Sequence, residues 1–196
     1  MGRMLEWESP HELNAFRLLD ANPAVTQFEE QPLVVHYMLD GIERVHYPDV
    51  SVVVDGAKEL WEVKIRADSL DPETARRTEL MSNDLPKFGY KYCMVTAEDL
   101  AVAPRLPNAL MLLRHGRTNI PTLERERLRR MLGDVSELTW GAVLAGAFGK
   151  RSKAHVCRLV LEGALHFDMN APMSERTLIS IVRSGIPVKE LCFEAT

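Results

Sequence analysis

The first regular pattern of apolar positions along the chain is helical. Behind Ser9, apolar side chains recur every three residues as far as Leu19, which places them on one face of a helix. Ser9 and Glu12 have the spacing of a capping box, in which each side chain bonds the backbone amide of the other residue. The pattern predicts a helix that begins after Ser9 and ends before Asn22-Pro23, because a residue that precedes proline disfavours helical geometry.

Sequence rich in β-branched and aromatic residues, which is typical of strands, follows this helix. Asp40-Gly41 and Asp55-Gly56 interrupt it, and each pair is typical of the tight turn of a β-hairpin. The predicted strands cover residues 33–39, 42–47, 50–54, 58–65 and 91–96. A second helix is predicted for residues 72–85. The order of helix, hairpins, helix and strand indicates an α/β fold with a mixed sheet flanked by helices.

The pattern changes after Pro104, where helical periodicity dominates. The predicted helices cover residues 121–132, 136–148, 152–161 and 174–183. A short turn-and-strand element is predicted for residues 163–168, and short helices with a small hairpin are typical of a winged helix. We therefore predict an α/β domain, a linker region and a mostly helical, winged-helix-like domain. These cover residues 1–104, 105–120 and 121–196.

Charge is distributed unevenly along the chain, although the formal net charge is only -4. Residues 1–99 carry 10 basic and 19 acidic side chains, whereas residues 114–158 carry 10 basic and 4 acidic ones. An acidic half followed by a basic one suits a carboxylate-rich metal site beside a phosphate-binding surface. The alternative is that these residues are only the charged, solvated faces of helices.

The composition argues against several other classes of protein. The longest apolar stretch, residues 140–148, is too short to span a bilayer, and the N-terminal residues lack the apolar core of a signal peptide. We therefore expect a cytoplasmic protein that does not contact a membrane. Cys93, Cys157 and Cys192 stand far apart in apolar surroundings, which favours buried thiols over a zinc site or disulfides.

The residues with the clearest chemistry lie on a predicted hairpin. Asp49 is at the start of one strand, and Glu62 and Lys64 are on the strand that follows it across a tight turn. Residues two apart on a strand point to the same face, so Glu62 and Lys64 project together towards the side that Asp49 can reach. Glu12, on the preceding helix, is the candidate for a third carboxylate of the same cluster.

Carboxylates and a lysine in this arrangement suit the metal-dependent hydrolysis of a phosphodiester. Two carboxylates hold a hard cation such as Mg²⁺, for which Mn²⁺ can substitute, and the backbone carbonyl of Val63 is a further oxygen donor. The metal activates water, and Lys64 orients that water and stabilises the charged transition state. The residues alone leave another interpretation open, in which Glu62 and Lys64 form a charge pair on a solvated face.

Several short motifs stand in a characteristic order along the first half of the chain. They are Ser9 with Glu12, Leu18-Leu19, Asn22-Pro23-Ala24-Val25, Gln31-Pro32, Tyr47-Pro48-Asp49, Asp55-Gly56, Glu62-Val63-Lys64 and Val95-Thr96-Ala97-Glu98-Asp99. This order resembles the catalytic domain of the TnsA-type endonucleases of heteromeric transposases, members of the PD-(D/E)XK superfamily. The tail is similar, more loosely, to the winged-helix domain of the same proteins. The resemblance implies a restriction-endonuclease-like core.

The same resemblance implies a Mg²⁺-dependent endonuclease that cuts double-stranded DNA at transposon ends. Glu12, Asp49 and Glu62 match the family's metal-binding positions, and Lys64 matches its catalytic lysine. The implied partners are a transposase of the retroviral-integrase type and an AAA+ ATPase regulator. Two alternatives remain, a stand-alone phage or defence nuclease and a non-catalytic DNA-binding or assembly module. The complete set of site residues argues against the module.

Basic residues in the second half of the chain are candidates for contact with DNA phosphates. The predicted helix 121–132 is rich in arginine, although Glu124 and Glu126 can pair with its arginines. A second basic group lies at the start of the predicted helix 152–161, where a helix N-terminus favours phosphate. The candidates are Arg125, Arg127, Arg129, Arg130, Lys150, Arg151 and Lys153. By contrast, we interpret His36 and His46 as exposed or structural.

Overall fold

The structure is a computed structural model that describes residues 9–133 and 138–182. The described residues divide into two compact units. The first unit comprises residues 9–19 and Ala24–Val102, and the second comprises Asp20–Pro23 and residues 103–182. No helix in the described ranges is long and apolar enough to cross a membrane.

A mixed sheet organises the first unit. The elements up to residue 102 are α1 (Pro10–Ala21), β1 (Val25–Glu30), β2 (Val35–Leu39), β3 (Ile42–His46), β4 (Val50–Val54), β5 (Ala57–Lys64), α2 (Arg66–Ser69), α3 (Pro72–Asp84), a 3-10 turn (Leu85–Phe88), β6 (Lys91–Thr96) and α4 (Ala97–Leu100). Among the described residues, four strands form this sheet in the order β1-β4-β5-β6. The first three are antiparallel, and β6 runs parallel to β5. Strands β2 and β3 form a separate hairpin.

Helices cover both faces of the sheet. Phe16 of α1 stacks on Phe28 of β1 with ring centroids 5.9 Å apart, and Phe28 pairs with Val52 of β4. In β5, Leu60 directly follows the residue that pairs with Val52. Because side chains alternate along a strand, Leu60 points to the opposite face of the sheet. There it joins a buried apolar cluster with Met81 of α3. The prediction of an α/β fold with a mixed sheet flanked by helices is therefore confirmed.

The second unit is mostly helical and contains a small sheet. Its elements are α5 (Arg105–Gly116), α6 (Thr122–Gly133), β7 (Leu138–Thr139), α7 (Trp140–Leu144), α8 (Ser152–Leu161), β8 (Leu165–His166) and β9 (Leu178–Ile181). In the described part of the unit the sheet has the order β7-β9-β8, and both pairings are antiparallel. Helices α5 and α8 pack against each other, and Leu112 and Val156, one from each, share a buried apolar cluster with Leu128 of α6.

Two of the predicted segments differ from the structure. The segment 105–120, predicted as a linker, contains the helix α5 over Arg105–Gly116, whose buried Ala109, Leu112 and Leu113 lie at helical spacing. The helix predicted for residues 174–183 is wrong, because Leu178–Ile181 is the strand β9 between β7 and β8. Its β-branched residues fit a strand better than a helix, and cross-strand pairing decides the outcome.

Smaller differences concern the limits of elements. The strand β1 was not predicted, although it lies at the edge of the main sheet beside β4. Of the helix predicted for residues 136–148, only Trp140–Leu144 is α-helical, and the stretch before it is the short strand β7. Residues 136 and 137 of that prediction, and residue 183 of the helix predicted at 174–183, lie outside the described residues.

Candidate functional site

The hairpin β4–β5 brings Asp49 to the backbone of β5. Val50 pairs with Trp61, so Asp49, one residue earlier, lies at the position opposite Glu62. The backbone pairing of β4 with β5 does not continue to Asp49. Instead, the side chain of Asp49 bonds the backbone of β5: its Oδ2 accepts a 2.6 Å hydrogen bond from the Val63 amide. Because the N–H and C=O of one strand residue point to the same side, the Val63 carbonyl also faces Asp49.

Glu62 is the most deeply buried acidic side chain of this group, with a relative exposure of 2%. Its Oε1 forms an ion pair with Lys64 Nζ at 3.0 Å and accepts a hydrogen bond from Arg77 Nη2 at 3.1 Å. Its Oε2 lies 3.2 Å from His46 Nε2 but has no aligned hydrogen bond to any of the described residues. The contact between Lys64 and Glu62 confirms that these two side chains lie on one face of β5.

The two carboxyl groups have different electrostatic surroundings. Burial, and then the charge of Glu62, raise the pKa of Asp49 to about 6, against the effects of the Val63 amide and Lys64. Burial would also raise the pKa of Glu62, but His46 and Lys64 outweigh it and lower that pKa. Burial would lower the pKa of Lys64, yet the carboxylate of Glu62 raises it. Glu62 and Lys64 are therefore charged at neutral pH, while Asp49 holds its negative charge less firmly.

Glu12 approaches the same group of residues from the N-terminus of α1. Its backbone amide donates to Ser9 Oγ at 3.2 Å, and the Ser9 hydroxyl donates to Glu12 Oε1 at 2.9 Å. The Ser9 side chain therefore caps the first turn of α1, as the spacing of Ser9 and Glu12 predicts. The charge of Glu12 contributes to the raised pKa of Asp49, so the two carboxylates lie in one electrostatic neighbourhood.

The carboxylates are not arranged as a finished coordination sphere. In the parts of the chain that the structure describes, no three or more His, Cys, Asp or Glu side chains are grouped as metal ligands. The structure brings Asp49, Glu62 and Lys64 together and places the charge of Glu12 nearby. The roles of all four in metal binding and catalysis stay predictions.

The hairpin with Asp49, Glu62 and Lys64 lies in a segment that is similar to a known family. Residues 22–97 match the model of the TnsA-like endonuclease N-terminal domain. This part of the chain is similar to a TnsA-like endonuclease domain. The matched range includes Asp49, Glu62 and Lys64, whereas Glu12 and most of the second unit lie outside it. No curated protein matches the chain.

The structure adds two residues to the TnsA-like domain's candidate site. His46, which we interpreted as exposed or structural, is buried, and its Nε2 lies 3.1 Å from Tyr92 Oη as well as near Glu62. Arg77, which no motif indicated, reaches Glu62 from α3. The one available signal for Arg77 was its position a turn before the buried Met81 on the same helix. His36, in contrast, is exposed beside Glu43.

The basic residues of the second unit fall into two groups. Every candidate arginine of α6 lies beside a glutamate: Arg125 pairs with Glu162, Arg127 with Glu124, and Arg129 and Arg130 with Glu126. Before α8, Lys150 and Arg151 are exposed, and Lys153 Nζ lies 5.9 Å from the centre of the Trp140 ring. Contact of either group with DNA stays a prediction.

Proposed function

We propose that this chain is a Mg²⁺-dependent DNA endonuclease subunit of a heteromeric transposase, which hydrolyses phosphodiester bonds at transposon ends. The observation that carries this proposal is the convergence of Asp49, Glu62 and Lys64 at the end of one hairpin of the TnsA-like domain. Glu12, Asp49 and Glu62 are the proposed metal ligands. A transposase of the retroviral-integrase type and an AAA+ regulator are the proposed partners.

The residues present fit a hard divalent cation. Glu62 Oε2 is a buried carboxylate oxygen that faces His46 Nε2 at 3.2 Å without an aligned hydrogen bond, so it can still accept a bond from a cation. Burial, and then the charge of Glu62, raise the pKa of Asp49 to about 6, and a cation beside this carboxylate would offset both effects. Carboxylate oxygens and the Val63 carbonyl are the donors that Mg²⁺ prefers, and Mn²⁺ accepts the same donors.

When bound, the metal ion supplies an activated water and neutralises charge on the scissile phosphate. The chain's own residues prepare the site for it. The Val63 amide fixes one oxygen of Asp49, which orients that carboxylate. Lys64 pairs with Glu62, but its side chain is 35% exposed to solvent. Its ammonium group can therefore also contact a phosphate oxygen of bound DNA.

We further propose that the second unit is a winged-helix domain that binds DNA or a partner of the nuclease. The support is its order of elements after α5: helix α6, strand β7, helices α7 and α8, and then strands β8 and β9. The sheet order β7-β9-β8 places β9 between the other two strands. In a winged helix, the hairpin of the last two strands forms the wing, and the last strand pairs with the short first strand.

The proposal is tested by nicking of supercoiled plasmid DNA in Mg²⁺ or Mn²⁺. Wild type should nick the plasmid only when the metal is present, and Asp49→Ala and Lys64→Ala should each lower the rate by about 100-fold or more. Asp55→Asn and Lys58→Ala are the matched controls, because they remove the same charges at the other, exposed end of the hairpin, and asparagine suits the positive φ of 48° at residue 55. Equal nicking by all five proteins would refute the proposed site.

A further inference from the structure

Arg77 occupies an unusual position for a helical arginine, since it points at the buried face of the sheet. Its side chain is only 19% exposed, and its Nη2 donates to Glu62 Oε1 at 3.1 Å. The helix α3 that carries it is firmly placed: Asp71 caps its first turn, and Met81 packs with Leu60 and Tyr92. The guanidinium is therefore held against Glu62 by the fold of the domain.

A buried carboxylate needs a compensating charge, and Glu62 is buried before any metal arrives. His46 lies 3.2 Å from the other oxygen of Glu62, but a histidine carries a full charge only when it is protonated. Lys64 is partly exposed and shares Oε1 with Arg77. Arg77 stays charged at every physiological pH, since the guanidinium does not lose its proton in that range. It supplies a permanent positive charge 3.1 Å from Glu62, one of the three proposed metal ligands.

We propose that Arg77 is a positioning residue that substitutes for the metal ion in the metal-free protein. It keeps the Glu62 carboxylate buried and oriented, and its positive charge opposes the binding of a cation to the same carboxylate. This inference rests on the proposed metal site, and it implies that Arg77 makes metal binding there less favourable. The nuclease would be folded and ordered without metal, at the expense of weaker metal binding.

Two opposite effects should follow when the charge of Arg77 is removed. The metal-free protein becomes less stable, because breaking a buried ion pair leaves a carboxylate with less compensation. The metal ion binds more tightly, because the positive charge of the guanidinium no longer repels it. A residue with a purely structural role would lower stability without tightening metal binding.

The experiment measures thermal unfolding and Mn²⁺ affinity of the full chain for wild type, Arg77→Gln and Arg77→Lys. Arg76→Gln is the matched control, since Arg76 is the preceding residue of α3 and pairs on the surface with Asp40. We expect Arg77→Gln to lower the Tm in EDTA by about 2–5 °C and to lower the Kd for Mn²⁺ by about fivefold or more. Arg77→Lys should restore both values in part, and Arg76→Gln should change neither.

A second comparison, in the Glu62→Gln background, does not depend on metal. There Arg77→Gln should no longer lower the Tm, because the charge that Arg77 compensates is gone. An unchanged or raised Kd for Mn²⁺ in Arg77→Gln would overturn the substitution for metal while leaving the proposed site intact. If wild type itself does not bind Mn²⁺, the proposed metal site fails and this inference fails with it. An equal loss of Tm in both backgrounds would show that Arg77 does not act through Glu62.

Discussion

Two carboxyl groups at one end of a hairpin differ because their nearest neighbours differ. Glu62 is the more buried of the two, yet its pKa is lowered, since His46 and Lys64 surround it. Asp49 has the Val63 amide as its hydrogen-bond donor, and its pKa is raised by burial and by the charge of Glu62. A bound cation between them would relieve the unfavourable charge on Asp49 most of all.

The raised pKa of Asp49 predicts an unusual effect of pH on stability. The native state holds the Asp49 proton more tightly than the unfolded chain, so this group's contribution to stability falls as the pH rises from about 4 to about 6. In EDTA at pH 8, Asp49→Asn should therefore be more stable than wild type by about 1–2 kcal/mol, a figure reduced for solvent screening. The difference should disappear as the pH falls towards 4.

Urea unfolding of both proteins at several pH values measures this difference. Asp55→Asn is the control, because Asp55 is an exposed turn residue of the same hairpin and its positive φ of 48° suits asparagine. Its stability should follow that of wild type throughout. A variant Asp49→Asn that is no more stable than wild type at pH 8 would show that the carboxylate is adequately compensated without metal.

At the scale of elements, the turn at Asp55-Gly56 determines which residues of β4 and β5 face each other. Gly56 has a φ of +80°, where an L side chain is strained even though nothing lies within 4 Å of the added Cβ. Gly56→Ala should lower the free energy of unfolding by about 1 kcal/mol. Gly133→Ala, which also meets nothing within 4 Å, should not lower it.

Chemical denaturation with a spectroscopic readout compares these two alanine variants. The strain arises in the turn itself, so the loss in Gly56→Ala should be the same with and without metal. A loss of the same size in Gly133→Ala would show that the effect comes from general differences between glycine and alanine and not from the left-handed turn.

The elements that the sequence predicted best are those with local signals. The helix α1 follows from the spacing of Ser9 and Glu12, and the strands β4 and β5 follow from the turn between them. The strand β9 was predicted wrongly as a helix, because its β-branched residues are only a weak local signal and its pairing with β7 and β8 decides its structure.

The candidate site shows the same division between local and distant information. Asp49, Glu62 and Lys64 could be predicted because one hairpin and the alternation of β5 bring them together. His46 and Arg77 contact Glu62 only through the packing of β3 and α3 on the sheet. Neither contact has a sequence spacing that could have indicated it.

At the scale of the whole molecule, uneven charge predicts how DNA binding depends on salt. The arginines of α6 have neighbouring glutamates, so the free energy gained with DNA is reduced by the loss of these pairs. Lys150 and Arg151 are exposed before α8, and we expect them to contact phosphates. A double variant Lys150→Ala/Arg151→Ala should reduce the slope of log K against log salt concentration by about 2.

Fluorescence anisotropy with a labelled duplex at several salt concentrations measures this slope for the full chain. The matched control is Arg129→Ala/Arg130→Ala, which removes the same charge from α6 and should reduce the slope by less. A larger reduction in the α6 variant would reverse the assignment and make the arginine helix the main phosphate contact.

The central claim is that Asp49 and Glu62 hold a divalent metal ion, and Mn²⁺ binding tests it most directly. Electron paramagnetic resonance of free Mn²⁺ reports binding to the isolated chain, so the result does not depend on DNA or partner proteins. We predict that wild type binds Mn²⁺ and that Asp49→Asn weakens the affinity by about tenfold or more. Equal affinity in the two proteins, or no binding by wild type, would contradict the account.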